Sequence, residues 1–153
     1  MITCNFEDGN KAYLRHGVVD VLVLKGNQIL LEKRNKKLLE GGKWALVGGY
    51  IERDETLIGA VKRETLEETG YQIDDIKLLK IIDNPNRPGE DRQNIAFLFV
   101  CQAGEKVGKS DWEVDDLQWF DLDKLPSKEL IAFDHWQSIQ FYIDSLKSPQ
   151  LIL

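Results

Sequence analysis

The fold class this sequence predicts is α/β in the α+β sense: a mixed sheet covered by helices. Three observations predict it. Strand-like runs crowd the first hundred residues, one segment with helical spacing interrupts them, and a second such segment lies near the end. There is no regular alternation of strand and helix that would argue for a parallel βαβ array.

The elements follow in order. Val18-Val19-Asp20-Val21-Leu22-Val23-Leu24 is rich in β-branched residues and reads as a strand. Lys25-Gly26-Asn27 is a turn, and residues 28–33 read as the hairpin partner. Residues 36–43, basic and ended by glycines, read as a loop. Trp44 to Val47 reads as a short buried strand that stops at Gly48-Gly49. A helix runs from about Thr56 to Thr69, with Thr56 a good N-cap and Gly70 a good residue for the left-handed C-terminal position. Residues 76–82 and 95–101 read as two more strands, and the loop between them is long enough to suggest a function. Leu117 to Phe120 is a short strand. Phe133 to Leu146 has helical spacing, with Trp136, Ile139, Ile143 and Leu146 on one side.

The 153 residues, 42% of them apolar, suit one domain spanning residues 1–153. No apolar run reaches the roughly 18 residues a membrane span needs. The N-terminus lacks the basic start and apolar centre of a signal peptide, so a cytoplasmic protein without membrane contact is expected. Cys4 and Cys101 sit in no metal or disulfide pattern, and Cys101 reads as core filler. The formal charge of -6 makes general nucleic-acid binding a poor expectation. An anionic substrate would need a cation to bridge two negative partners.

The first helix carries the chemistry. On a wheel of about 100° per residue started at Leu57, Ala60 and Val61 fall within roughly 60° of the start. Glu68 falls at about 20°, inside that apolar stripe, Glu64 at about -20° and Glu67 at about -80°. A solvated charged face would put its acids opposite the stripe. Burying neighbouring carboxylates is costly, since each raises the other's pKa, and is tolerable where cations are bound. Carboxylates at this spacing suit hard ions such as Mg²⁺ or Mn²⁺. The competing reading, Glu64 and Glu67 as surface partners of Lys62 and Arg63, does not explain Glu68. Gly48 and Gly49 just upstream suggest a close backbone approach, and Gly59 inside the helix suggests a tight contact there.

Gly49 to Tyr71 reads GYIERDETLIGAVKRETLEETGY. This resembles the Nudix box, GX5EX7REUXEEXGU with U a bulky aliphatic, and matches it at Gly49, Glu55, Arg63, Glu64, Glu67, Glu68 and Gly70. Thr65 and Tyr71 depart from the aliphatic positions. Trp44 to Gly49 resembles the strand that enters the box, with Val47 where Pro is usual, and Trp119 to Pro126 resembles the family's C-terminal segment. The resemblance covers about residues 18–146 and implies a Nudix α/β/α sandwich with a mixed β-sheet. It implies that Glu64, Glu67, Glu68 and the carbonyl of Gly48 bind Mg²⁺ or Mn²⁺, while Arg63 and Glu55 pair and orient the acids. It implies a further acid from a late loop: Glu113 is the choice, with Asp111, Asp115 and Asp116 as rivals. Glu64 or Glu113 would take the proton of the attacking water. A homodimer is a further expectation from the resemblance.

The activity so implied is hydrolysis of the pyrophosphate bond of a nucleoside diphosphate linked to another group. Lys33, Arg34, Arg87 and Arg92 are candidate contacts to phosphate or ribose. Trp44, Phe6 and Trp112 are candidates for base stacking, with core packing the favoured competing reading for Trp44. Pro85 and Pro88 lie near the place where, in this family, a proline is associated with ADP-ribose hydrolases, so ADP-ribose or a related nucleotide sugar is the first expectation. A house-cleaning nucleoside triphosphate pyrophosphohydrolase is the second. A non-catalytic nucleotide sensor is disfavoured because every box acid is kept, and a protein-binding module because Glu68 is not on a solvated face.

Overall fold

The computed structural model describes residues 2–87 and 93–147. The frame of the molecule is β3 (Gly17–Lys25), whose Val19, Val21 and Val23 point to one face and Leu22 and Leu24 to the other. Both faces are covered, which is why the strand reads as a continuous apolar run. A two-residue turn at Gly26-Asn27, with Gly26 in the left-handed region at φ 59°, returns the chain as β4 (Gln28–Arg34).

The two strands then part. β3 pairs with β4 only through residues 23–25, and its residues 18–21 pair instead with β6 (Val47–Tyr50). β4 continues beside β5 (Trp44–Ala45) and carries β9 (Val114–Asp121) on its other edge. Across β3, β8 (Ile95–Lys106) runs parallel, and β7 (Tyr71–Ile82) closes that side antiparallel. The sheet is therefore mixed and split where β4 diverges from β3.

The helices cover opposite faces. α1 (Leu57–Thr69) lays Ala60 and Val61 on Val19, Val21, Val23, Leu30 and Val47. The Thr56 hydroxyl accepts the Gly59 amide at 3.1 Å, and Gly70, left-handed at φ 74°, ends the helix. A Cβ at Gly59 would make only ordinary contact with Thr56 and Glu55, so no tight approach explains that glycine. α2 (His135–Lys147) packs Ile139 on Leu22, Leu24, Leu31 and Leu98. It starts two residues later than its spacing predicts because Phe133 is left-handed, at φ 55°.

The other departures are at strand ends and at the N-terminus. β7 begins at Tyr71 and β8 runs on to Lys106, both beyond the apolar runs. A short hairpin of β1 (Ile2–Asn5) and β2 (Lys11–Leu14) forms its own two-stranded sheet. The glycines Gly48 and Gly49 lie inside β6 rather than after a strand. No described helix is long and apolar enough to cross a membrane.

Candidate active site

The site begins at Gly48 and Gly49. A Cβ at Gly48 would stand 2.0 Å from the Val19 carbonyl oxygen, so glycine is what lets β6 close on β3. A Cβ at Gly49 would stand 2.4 Å from Oε1 of Glu64. The second glycine thus makes room for a helix carboxylate and not directly for a ligand.

Arg63 organises the same corner. Its Nε and Nη2 donate to Glu55 at 3.1 and 2.6 Å, Nη2 also to the Tyr50 carbonyl at 2.9 Å, and Nη1 to Glu64 at 2.8 Å and Glu67 at 3.2 Å. One planar fork therefore ties the loop before α1 to the acids on it. The Arg63 hydrogen bonds hold the Glu55 carboxyl below its ordinary range, and Glu55 in turn pushes the Arg63 pKa up.

A cavity of about 200 Å³ opens beside this corner, at the split in the sheet. Glu64, Glu68, Glu113, Gly48, Gly49 and Tyr50 line one end. Glu68 is 5% exposed, as its place on the wheel predicts, and its Oε2 accepts the Gly48 amide at 2.9 Å. Burial raises its pKa well above the ordinary value, with Glu32 and Glu64 adding to the rise and the Gly48 amide opposing it. Burial also raises Glu64, against the pull of Arg63. Behind Glu68 stands Glu32 on β4, 1% exposed and raised to about 8 by burial, with Arg34 as the main offset. Its Oε1 lies 3.6 Å from Arg34, and its Oε2 has no hydrogen bond among the described residues.

The late acids separate cleanly. Glu113 lines the cavity. Asp111 instead accepts the Glu113 amide, Asp115 the Lys36 amide and Asp116 the Leu117 amide, so each already accepts a backbone hydrogen bond. Glu67 does not line the cavity; its side chain is 50% exposed and held by Arg63. Among the described residues no three acidic, histidine or cysteine side chains already converge on a single point.

The expected substrate contacts fare unevenly. Arg34 lines the cavity, its guanidinium 5.0 Å from the Phe133 ring and its Nε donating to the Leu39 carbonyl. Lys33, next to it on β4, points to the opposite face and sits 5.6 Å over the Trp44 ring. Trp44 packs edge-on against Phe120 in the α2-side core, so neither Lys33 nor Trp44 reaches the cavity. Arg87 does line it, yet its fork is consumed internally: Nε and Nη2 donate to Asp134, Nη1 to Asn94 at 2.6 Å, and Nη2 to Asp20 at 3.3 Å. It builds the floor and has no fork left for a phosphate. Arg92 and Pro88 lie outside the described residues. Phe6 and Trp112 are exposed and away from the cavity lining.

Asp20, Glu32, Asn94, Phe133 and His135 are site residues that the reading of the sequence missed. The available signal was a lone acid inside an apolar strand, in VVDVLVL and in ILLEKR, where an unpartnered charge is costly.

Fold and site together define a class: an α/β/α sandwich with a carboxylate-bearing loop–helix–loop over a split mixed sheet, the architecture of the Nudix hydrolases. The chain belongs to that family, since the NUDIX domain model matches residues 14–142. It is 36% identical over 135 residues to the ADP-ribose pyrophosphatase of Methanocaldococcus jannaschii, covering 87% of this chain and 76% of that one. It is 34% identical over 117 residues to the NAD-capped RNA hydrolase NudC of Pasteurella multocida, covering 73% of this chain but only 42% of that longer protein. The NUDIX domain of Shewanella oneidensis NrtR, solved with ADP ribose, superposes with a TM-score of 0.71 at 23% identity, over 88% of this chain and 90% of that one. At that identity the superposition speaks to the fold alone.

Proposed function

We propose that this protein is a cytoplasmic, divalent-cation-dependent pyrophosphohydrolase of nucleoside diphosphates linked to another group, with ADP-ribose or a related nucleotide sugar as substrate. The observation that carries the reading is the lining of the cavity: Glu64, Glu68 and Glu113, backed by Glu32, meet there with Arg34 as the nearby cation not consumed by α1.

The donor set fits a hard cation. The acids are buried or half-buried, one carboxylate oxygen of Glu32 lacks a hydrogen bond among the described residues, and Gly49 leaves Glu64 unobstructed. Glu64, Glu68 and Glu113 would hold Mg²⁺ or Mn²⁺, with Glu67 joining by rotation of its exposed side chain and Gly48 contributing its carbonyl. When bound, such an ion neutralises phosphate oxygens and lowers the pKa of water.

The chain's own residues do the rest. Arg63 and Glu55 fix the direction in which Glu64 points. Glu64 or Glu113 accepts the proton of the attacking water. Arg34 meets the phosphate, and Phe133 stiffens its guanidinium. Water attacks one phosphorus, the bridging P–O bond breaks, and two monophosphate products leave.

The substrate choice is supported by the archaeal relative named ADP-ribose pyrophosphatase, of which this chain covers 76%. The test incubates the protein with Mg²⁺ or Mn²⁺ and a panel of ADP-ribose, nucleotide sugars, NADH and nucleoside triphosphates, and measures monophosphate or pyrophosphate release. AMP from ADP-ribose with the highest kcat/KM is expected. Preferred turnover of a triphosphate would overturn the substrate, and no turnover of any compound would overturn the activity.

A further inference from the structure

The end of the cavity away from α1 has a chemistry of its own. Asp20, Leu46, Arg87, Asn94, Phe133 and His135 form it. Nδ1 of His135 accepts the Leu46 amide at 2.9 Å. A ring nitrogen that accepts a hydrogen bond carries no proton, so in the neutral ring the proton sits on Nε2. Burial favours that neutral ring, against Asp20 and Asp134, which favour the charged one.

Nε2–H then faces Oδ1 of Asp20 across 3.8 Å, beyond hydrogen-bond length. The other oxygen of Asp20 is taken by Arg87. Among the described residues neither Nε2 nor Oδ1 makes a hydrogen bond. A donor and an acceptor thus stand side by side on the cavity wall, at a spacing that one oxygen atom about 2.8 Å from each would bridge. A hydroxyl satisfies both at once, accepting from Nε2–H and donating to Oδ1.

Hydrogen-bonding capacity narrows the occupant further. The single guanidinium of Arg87 is shared by Asp134 and Asp20, and the remaining Asp20 oxygen needs a donor, which an ionised phosphate does not carry. A hydroxyl, which donates as well as accepts, is the group that fits between Asp20 and His135. We infer that Asp20 and His135 form the subsite for a sugar hydroxyl of the group attached to the diphosphate. This rests on the proposed reading of the substrate class. The amino-pyrimidine edge of adenine offers a similar donor–acceptor pair, and the experiment separates the two sources.

The probes are α,β-methylene ADP-ribose, its hypoxanthine counterpart and α,β-methylene ADP, none cleavable at the bridge, titrated calorimetrically with Mg²⁺. Asp20→Asn keeps an oxygen for Arg87 and turns an N–H toward Nε2–H. The expected result is at least a tenfold weaker Kd for α,β-methylene ADP-ribose. Asp20→Ser, which withdraws the acceptor, is the second variant should the first fail to fold, with the same loss expected. A hydroxyl at the subsite predicts that the hypoxanthine analogue binds like the adenine one, and that α,β-methylene ADP binds both proteins alike. Weak binding of the hypoxanthine analogue to the unmutated protein would transfer the subsite to the base and overturn the sugar assignment. Equal affinities of the unmutated and Asp20 proteins for α,β-methylene ADP-ribose, or no binding to the unmutated protein, would overturn the inference. Tight binding lost in Asp20→Asn, with ADP-ribose left intact by the unmutated enzyme, would overturn only the hydrolase reading.

Discussion

Replacing Glu32 by glutamine separates the roles of charge and shape in the acid corner. Glu32 is fully enclosed, its neighbour Glu68 is nearly so, and Arg34 approaches only to 3.6 Å. The folded protein therefore holds Glu32 protonated up to about pH 8, whereas in the unfolded chain the group titrates near its ordinary 4.5. Between those values the folded state binds a proton that the unfolded state does not, so stability falls as pH rises. The contribution is fully present below pH 4.5 and lost as pH passes through 8. The stability lost by pH 8 is at most about 5 kcal/mol, and about half that if Glu68 shares the proton. For a chain of this length each kcal/mol moves the melting temperature by roughly 2–4 °C. In a chelator, the melting temperature is expected to drop by roughly 5–15 °C between pH 5 and 8 beyond the change in Glu32→Gln, whose amide does not titrate. Calorimetric melts at matched ionic strength measure it. Parallel pH profiles for the two proteins would refute the buried-acid argument.

Other expectations follow from the same corner. Gly49→Ala should fold with a melting temperature within a few degrees of the original, because the atoms nearest a new Cβ are the end of the Glu64 side chain and not backbone. It should lose at least tenfold in kcat by displacing that carboxylate; unaltered kcat would exclude Glu64 from the reaction. Gly48→Ala meets the Val19 carbonyl instead, so it should cost about 3 kcal/mol or more in urea melts, and a neutral result would contradict the close strand approach. Arg63→Lys keeps the charge but loses the fork, and is expected to lower kcat at least tenfold and weaken Mn²⁺ binding read by electron paramagnetic resonance. Glu67→Gln breaks a half-exposed pair worth under about 1 kcal/mol, so the fold should survive while activity falls by most of its value; full activity would remove Glu67 from the cation set.

What the sequence disclosed divides by the range of the interactions involved. The limits of α1 were legible because its caps, Thr56 and Gly70, act within one turn. The burial of Glu68 was legible because helix periodicity fixes a direction from neighbours three and four residues away. The start of α2 was not, since Phe133 adopts its left-handed backbone beside Arg34, a residue that only the fold brings near it. The first strands escaped notice because ITCN and KAYL are short and pair only with each other. The basic pair on β4 shows the limit most sharply. Lys33 and Arg34 look equivalent in sequence, but strand alternation sends one to Trp44 and the other to the cavity.

The same alternation explains how one cavity acquires two unlike ends. On β3, Val19 and Val21 serve the α1 face, which leaves Asp20 on the α2 side near Arg87 and His135. On β4, Leu31 serves the α2 side, which leaves Glu32 on the α1 side behind Glu68. Were β3 and β4 paired along their whole length, these two acids would be sealed on opposite faces. Because β4 parts from β3 after Leu30 and β6 takes its place, the faces communicate through the split. Acids for a cation then lie at one end, and a hydroxyl-sized donor–acceptor pair lies at the other. Under the proposed reading, a ligand spanning the split places its phosphates with the cation acids and a neutral hydroxyl between Asp20 and His135, which the sugar beyond the diphosphate of a nucleotide sugar supplies.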